Sequence, residues 1–82
     1  MSKAPTTLTF DALYDSEAGV WVATGRDSIT TEAPTRDGLL GRLRSIVPDV
    51  LEERLGHPPK DVKITVNWQE LRTVDQTELM VA

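Results

Sequence analysis

The sequence lacks cysteine, has few aromatic residues and contains no long apolar run. Without cysteine it has neither a disulfide framework nor a thiolate metal site, which suits the reducing environment of the cytoplasm. No apolar stretch approaches the ~20 residues of a membrane-spanning helix. The N-terminal residues also lack the apolar segment of a signal peptide. We therefore expect a cytoplasmic protein that does not contact a membrane.

The chain also lacks an excess of basic residues. It has 9 Lys and Arg against 13 Asp and Glu in 82 residues, a net charge of −4. Because affinity for phosphates comes from clustered Lys and Arg, direct nucleic-acid binding is not expected. The acidic balance is compatible with a basic protein partner, and equally with solubility alone. The length predicts one domain spanning residues 1–82, and so small a domain benefits from oligomerisation, so we expect a homodimer.

Alternating apolar residues predict two strands and a tight turn near the N-terminus. In the first strand, one face carries Leu8, Phe10, Ala12 and Tyr14. Leu13 breaks the alternation. In the second strand, residues 20–24, Val22 and Trp21 lie on opposite faces, so apolar side chains occur on both sides. This pattern predicts an inner strand, or a face used for contact.

Two further strands are predicted, and a third is possible at the C-terminus. Residues 29–32 are rich in β-branched side chains and end before Pro34, which cannot donate to a ladder. Residues 61–69 alternate clearly and place Trp68 on the buried face. The weakly patterned segment 71–82 is predicted to be a tail or a final short strand at 79–81, for which pairing with a second subunit is one option.

A long amphipathic helix is predicted between the third and fourth strands. Thr35 has the character of an N-cap, and Gly56 is the natural C-terminal stop after Leu55. The apolar stripe stays in phase across Pro48, so we predict one kinked helix. The order β-β-β-α-β, with its core at about residues 6–70, is an α+β architecture with the helix on one face of a small sheet.

The first hairpin and the helix also carry a family resemblance. The hairpin, residues 15–23, reads DSEAGVWVA, the segment before the helix reads TEAPT, and the helix contains IVPDVLE. In this order and spacing, across roughly residues 8–70, they resemble the HicB-like antitoxin family and its short single-domain branch. The resemblance implies a partial ribonuclease-H-like fold. It also implies a protein-binding module that masks a small basic mRNA-cleaving toxin of the HicA-like type.

The sequence departs from the family pattern in two places. The family's full antitoxins add a C-terminal DNA-binding domain, whereas this sequence ends at Ala82, so we do not expect a repressor. The turn at residues 26–29 is shorter than the family's usual loop.

Four residues are candidates for contact with a partner. Trp21 is either an interface anchor or a core residue under the helix. Three acidic residues nearby in the sequence, Glu17, Asp27 and Glu32, fit a basic partner. No catalytic residue, cofactor site or metal site is predicted, and we expect a protein that is not an enzyme.

Other chemistries have weaker support in the sequence. Asp11, Asp15 and Glu32 invite a two-metal nuclease interpretation by analogy with ribonuclease H, but fold analogy does not establish chemistry. His57, the single histidine, lies at a predicted helix end, where it is typical of a solvated cap. A basic cluster on the exposed helix face, Arg36, Arg42 and Arg44, is interrupted by acidic residues. The main alternative function is a stand-alone homo-oligomeric structural domain without a toxin partner.

Overall fold

The computed structural model describes residues 6–26, 29–70 and 73–81. They form five strands and one helix, in the order β-β-β-α-β-β: β1 (Thr6–Asp15), β2 (Val20–Gly25), β3 (Thr30–Ala33), α1 (Arg36–Leu55), β4 (Val62–Glu70) and β5 (Thr73–Met80). The α+β class and the helix on a small sheet are confirmed. No helix among these residues has both the length and the apolar character needed to cross a membrane.

The five strands form one mixed sheet in the order β3-β2-β1-β4-β5. β1 and β4 are parallel, with Leu8 opposite Ile64, and the other neighbouring strands are antiparallel. The helix lies in the connection between β3 and β4, and a strand that pairs parallel to its neighbour needs such a long crossover connection. We call the sheet face against the helix the inner face and the opposite one the outer face.

The inner face and the helix form a single hydrophobic core. The helix contributes every third or fourth residue, and the strands contribute the alternating residues expected from the sequence. The buried side chains of the helix are Leu39, Leu43, Val47 and Leu51. The largest fully buried side chains of the sheet are Trp68, Phe10 and Ile64.

Both predicted helix ends are confirmed. Gly56 adopts a left-handed conformation with φ 79°, and its N–H donates to the carbonyl of Glu52 at 2.8 Å. At the other end, Thr35 Oγ1 accepts from the Gly38 N–H at 2.9 Å. The helix continues through Pro48 to Leu55 as one element. The kink at Pro48 stays a prediction.

The N-cap makes a defined contribution to stability. Replacing Thr35 by alanine leaves the Gly38 N–H without its side-chain acceptor, and we expect a loss of ~1 kcal/mol in the free energy of unfolding, measured with urea. Thr35→Ser keeps the hydroxyl and serves as the matched control. Equal losses in the two variants would contradict a contribution from the cap.

The strands differ from the sequence prediction mainly at the C-terminus. The predicted final strand at 79–81 is in fact eight residues long, and it pairs with β4 of the same chain. Pairing of its other edge with a second subunit stays a prediction. Weak patterning concealed the strand because its inner face includes polar residues, Asp75 and Thr77, which have partners inside the chain.

Candidate protein-binding surface

Trp21 lies on the inner face, in an aromatic cluster at one end of the core. It is 8% exposed, and its ring meets Trp68 edge to face at 5.3 Å between centroids. Tyr14, the residue opposite Trp21 in the hairpin, packs on it with the same centroid separation and is 45% exposed. Trp21 thus belongs to the core and offers little contact area to a partner.

Arg36 closes this cluster from the helix side. Its guanidinium carbon lies 4.8 Å from the Trp21 ring centroid and 4.9 Å from that of Trp68, within the range of cation–π attraction. Its Nη1 also lies 3.6 Å from the Asp75 carboxylate on β5. The assignment of Arg36 to an exposed basic cluster with Arg42 and Arg44 is therefore wrong. Stacking on the two rings draws it away from that surface.

The outer face is open, because the helix packs on the other side of the sheet. Within the described residues, side chains on this face are exposed or half-buried except that of Thr65. Across the middle strands, amides form a polar ladder: Asn67 Nδ2 donates to Asp11 Oδ1 at 3.3 Å, and Gln76 Nε2 donates to Asn67 Oδ1 at 3.0 Å. These hydrogen bonds give Asp11, Asn67 and Gln76 partners on the outer face.

An apolar pair lies on the outer face at the hairpin end. Leu13 on β1 is 59% exposed and stands opposite the half-buried Val22 on β2. Glu32 follows Val22 on β3, and Gln69 follows Leu13 on β4, so the four residues form one row across the sheet. Leu13 and Val22 thus form a small apolar pair at the hairpin end of the open face, with a polar residue on either side of them.

The β1–β2 turn places acidic side chains beside this row. Asp15 Oδ1 accepts from the N–H groups of Glu17 and Ala18 at 3.1 and 3.2 Å, and Gly19 adopts φ 69°, so the turn is held in one conformation. The turn and the neighbouring strands line a shallow, open depression with a volume of about 630 Å³. Its lining is Asp11, Leu13, Tyr14, Asp15, Ser16, Glu17, Val22, Thr24 and Gln69. We call this depression and Glu32 the hairpin surface.

The four candidate contact residues are thus separated. Glu17 and Glu32 are exposed and lie at the hairpin surface, Trp21 faces the core, and Asp27 lies outside the described residues. Among the residues described, no group of three or more potential ligands is placed to hold a metal ion. The Asp15 carboxylate accepts hydrogen bonds in the turn, and His57 is exposed with Nδ1 3.1 Å from the Pro58 carbonyl.

Comparison with known proteins assigns the chain to a family. Residues 7–75 match the family model described as a domain of unknown function, DUF1902. The chain belongs to the DUF1902 family. No curated protein matches it. The DUF1902 domain is similar to the crystal structure of a hypothetical protein from the extremely thermophilic bacterium Thermus thermophilus. The two are 38% identical with a TM-score of 0.68, and the match covers 82% of this chain and 97% of that one.

The sequence of this DUF1902 domain carried a signal for the hairpin surface. Leu13 interrupts the alternation of β1. Val22 gives β2 a second apolar side, and one of the two interpretations of that pattern was a face used for contact. Their adjacency follows from the β1–β2 register, which places Leu13 opposite Val22.

Proposed function

We propose that this DUF1902 domain is a non-enzymatic, HicB-like protein-binding module that acts in the cytoplasm. Its partner in this proposal is a small basic mRNA-cleaving toxin, which it masks as an antitoxin does. The observation that carries the proposal is the hairpin surface, where the exposed Leu13 is surrounded by acidic side chains.

The hairpin surface has the composition expected of an interface for a basic protein. Leu13 and Val22 provide the apolar centre, and the carboxylates of Asp11, Glu17 and Glu32 lie around them. An apolar centre supplies most of the affinity, whereas charges at the rim favour encounter with an oppositely charged partner. The net charge of −4 acts in the same direction.

The resemblance to HicB-like antitoxins supports the choice of partner class. A nuclease that binds mRNA needs clustered Lys and Arg against the phosphates. An acidic protein that covers such a cluster blocks access of RNA without any catalytic group of its own. In this proposal the basic side chains of the toxin meet the acidic rim, and one of its apolar side chains meets Leu13.

A matched pair of substitutions tests the position of the interface. Leu13→Arg puts a positive charge at the centre of the hairpin surface, and we expect it to weaken toxin binding by about tenfold or more, equivalent to ~1.4 kcal/mol. Leu55→Arg is the control, because Leu55 is 51% exposed on the helix, on the opposite side of the sheet. Binding of a catalytically inactive HicA-like toxin is measured by calorimetry. Equal losses for both variants would contradict this location.

The second candidate function is a stand-alone homo-oligomeric domain without a toxin partner. The free edge of β5 is the observation that favours it. Co-expression separates the two functions: a masking module co-purifies with the basic toxin and stops its cleavage of mRNA. A chain that stays free of the toxin under these conditions contradicts the antitoxin proposal and favours the alternative.

A further inference from the structure

The outward-facing backbone groups of β5 can be identified from one hydrogen bond. The Val81 N–H donates to the Val62 carbonyl of β4 at 2.9 Å. In an antiparallel strand, the N–H and C=O groups of successive residues point to opposite sides. Odd-numbered residues of β5 therefore direct their backbone groups toward β4, and Gln76, Glu78 and Met80 direct theirs away from it. β5 is an outer strand of the sheet, so no strand of the described residues pairs with these groups.

The two outer strands of the sheet differ in how they are protected against pairing with another strand. β3 has four residues and is followed directly by Pro34, and both features discourage pairing. β5 has eight residues and contains neither proline nor lysine. Its described acidic side chains are engaged inside the chain: Asp75 with Arg36, and Glu78 with Lys63 at 3.1 Å. The β5 edge is therefore long, and each of its described carboxylates lies beside a cation of the same chain.

We propose that the β5 edge binds a second copy of this chain, so that two sheets join antiparallel into one. The proposal does not depend on the antitoxin function, and it gives the homo-oligomeric alternative a specific interface. In the proposed register, the two-fold axis that relates the two copies passes through Thr77. Residue 76 then faces residue 78 of the second copy, and 74 faces 80. These are the residues whose backbone groups point outward, and each such pair exchanges two hydrogen bonds.

Charge and length favour this register over its neighbours. Residues that face each other across two antiparallel strands lie on the same face of the sheet. In two identical strands, the facing residues must therefore both be even-numbered or both odd-numbered. The two-fold axis then passes through a residue and not between two residues. An axis through Asp75 or Glu78 would place two identical carboxylates directly opposite each other, which is destabilising. An axis through Gln76 would leave Met80 facing residue 72, beyond the N-terminal end of β5. With the axis at Thr77, Glu78 faces the Gln76 amide, and every outward-facing residue of β5 has a partner within the strand.

A proline substitution tests whether the β5 edge is the interface. Glu78→Pro removes an outward N–H that pairs with no strand among the described residues, and proline is tolerated at such positions of edge strands. Glu78→Ala is the matched control, because it also removes the ion pair with Lys63 but keeps the N–H. In sedimentation equilibrium we expect wild type and Glu78→Ala to rise above the 9.1 kDa monomer. Glu78→Pro should associate at least about tenfold more weakly. A monomeric wild type, or equal association of both variants, would overturn the proposal.

A disulfide cross-link tests the register, even if a proline variant fails to fold. The chain has no cysteine, so Thr77→Cys introduces a single thiol. Facing residues of a pair without mutual hydrogen bonds have Cα atoms about 4.5 Å apart, within disulfide range. We expect mild oxidation to give covalent dimer from Thr77→Cys and little from Gln76→Cys. No cross-link at residue 77, or a stronger one at residue 76, would overturn the assigned register.

Discussion

Replacing Trp68 by alanine should remove ~3–5 kcal/mol from the free energy of unfolding, the cost typical of emptying a buried aromatic site. Trp68 is 2% exposed and is the largest fully buried side chain of the described residues. Its indole contacts Trp21, lies under the Arg36 guanidinium, and donates from Nε1 to Thr77 Oγ1 at 2.7 Å. Small domains have about 5–15 kcal/mol in total, so the variant should be close to unfolding at room temperature.

The reason for so large an effect is that Trp68 joins three parts of the fold. Its ring fills the core under α1, and its N–H ties β4 to the edge strand β5. Trp68→Phe is the matched control: it keeps an aromatic ring in the core but loses the hydrogen bond to Thr77. We expect its urea midpoint to fall between those of wild type and Trp68→Ala. Equal midpoints for the two variants would mean that the volume of the ring contributes little.

The strands and the helix could be predicted because local patterns and tertiary packing agree there. The alternation around Phe10 and Trp68 marks the buried sheet face, and the stripe through Leu43 marks the buried helix face. Thr35 and Gly56 fix the helix ends through hydrogen bonds made within one turn. Such short-range chemistry is visible in the sequence.

The arrangement around Arg36 could not be predicted, since it depends on residues distant in the sequence. Trp21, Trp68 and Asp75 come from three different strands, and only the sheet order places them around one guanidinium. The length of β5 could not be predicted for the same reason. Asp75 interrupts the apolar pattern of its inner face, and its partner Arg36 is distant in the sequence. The hairpin surface could be predicted only in part. Leu13 interrupts the alternation of β1 in the sequence, but the residues beside it are determined by the strand register.

Replacing Gly25 by alanine should destabilise the domain by ~1–3 kcal/mol, the usual cost of overpacking a core. A Cβ at this position would lie 2.7 Å from Phe10 Cε2 and 3.2 Å from the carbonyl oxygen of Ile29. Phe10 is 1% exposed, so its ring has little room to retreat. The Gly25 N–H also donates to that same carbonyl at 2.7 Å, which ties the backbone in place.

Two comparisons separate this clash from a general effect of glycine replacement. Gly41→Ala, at a helix position where a Cβ meets nothing within 4 Å, should instead stabilise the domain by up to ~1 kcal/mol through helix propensity. Phe10→Leu shortens the side chain that the new methyl group meets, so its loss and that of Gly25→Ala should not add in the double variant. Urea unfolding of wild type, Gly25→Ala, Phe10→Leu and the double variant measures this coupling. Strict additivity would show that the ring and the glycine do not compete for the same space, and would leave the Ile29 carbonyl as the sole steric reason for glycine at position 25.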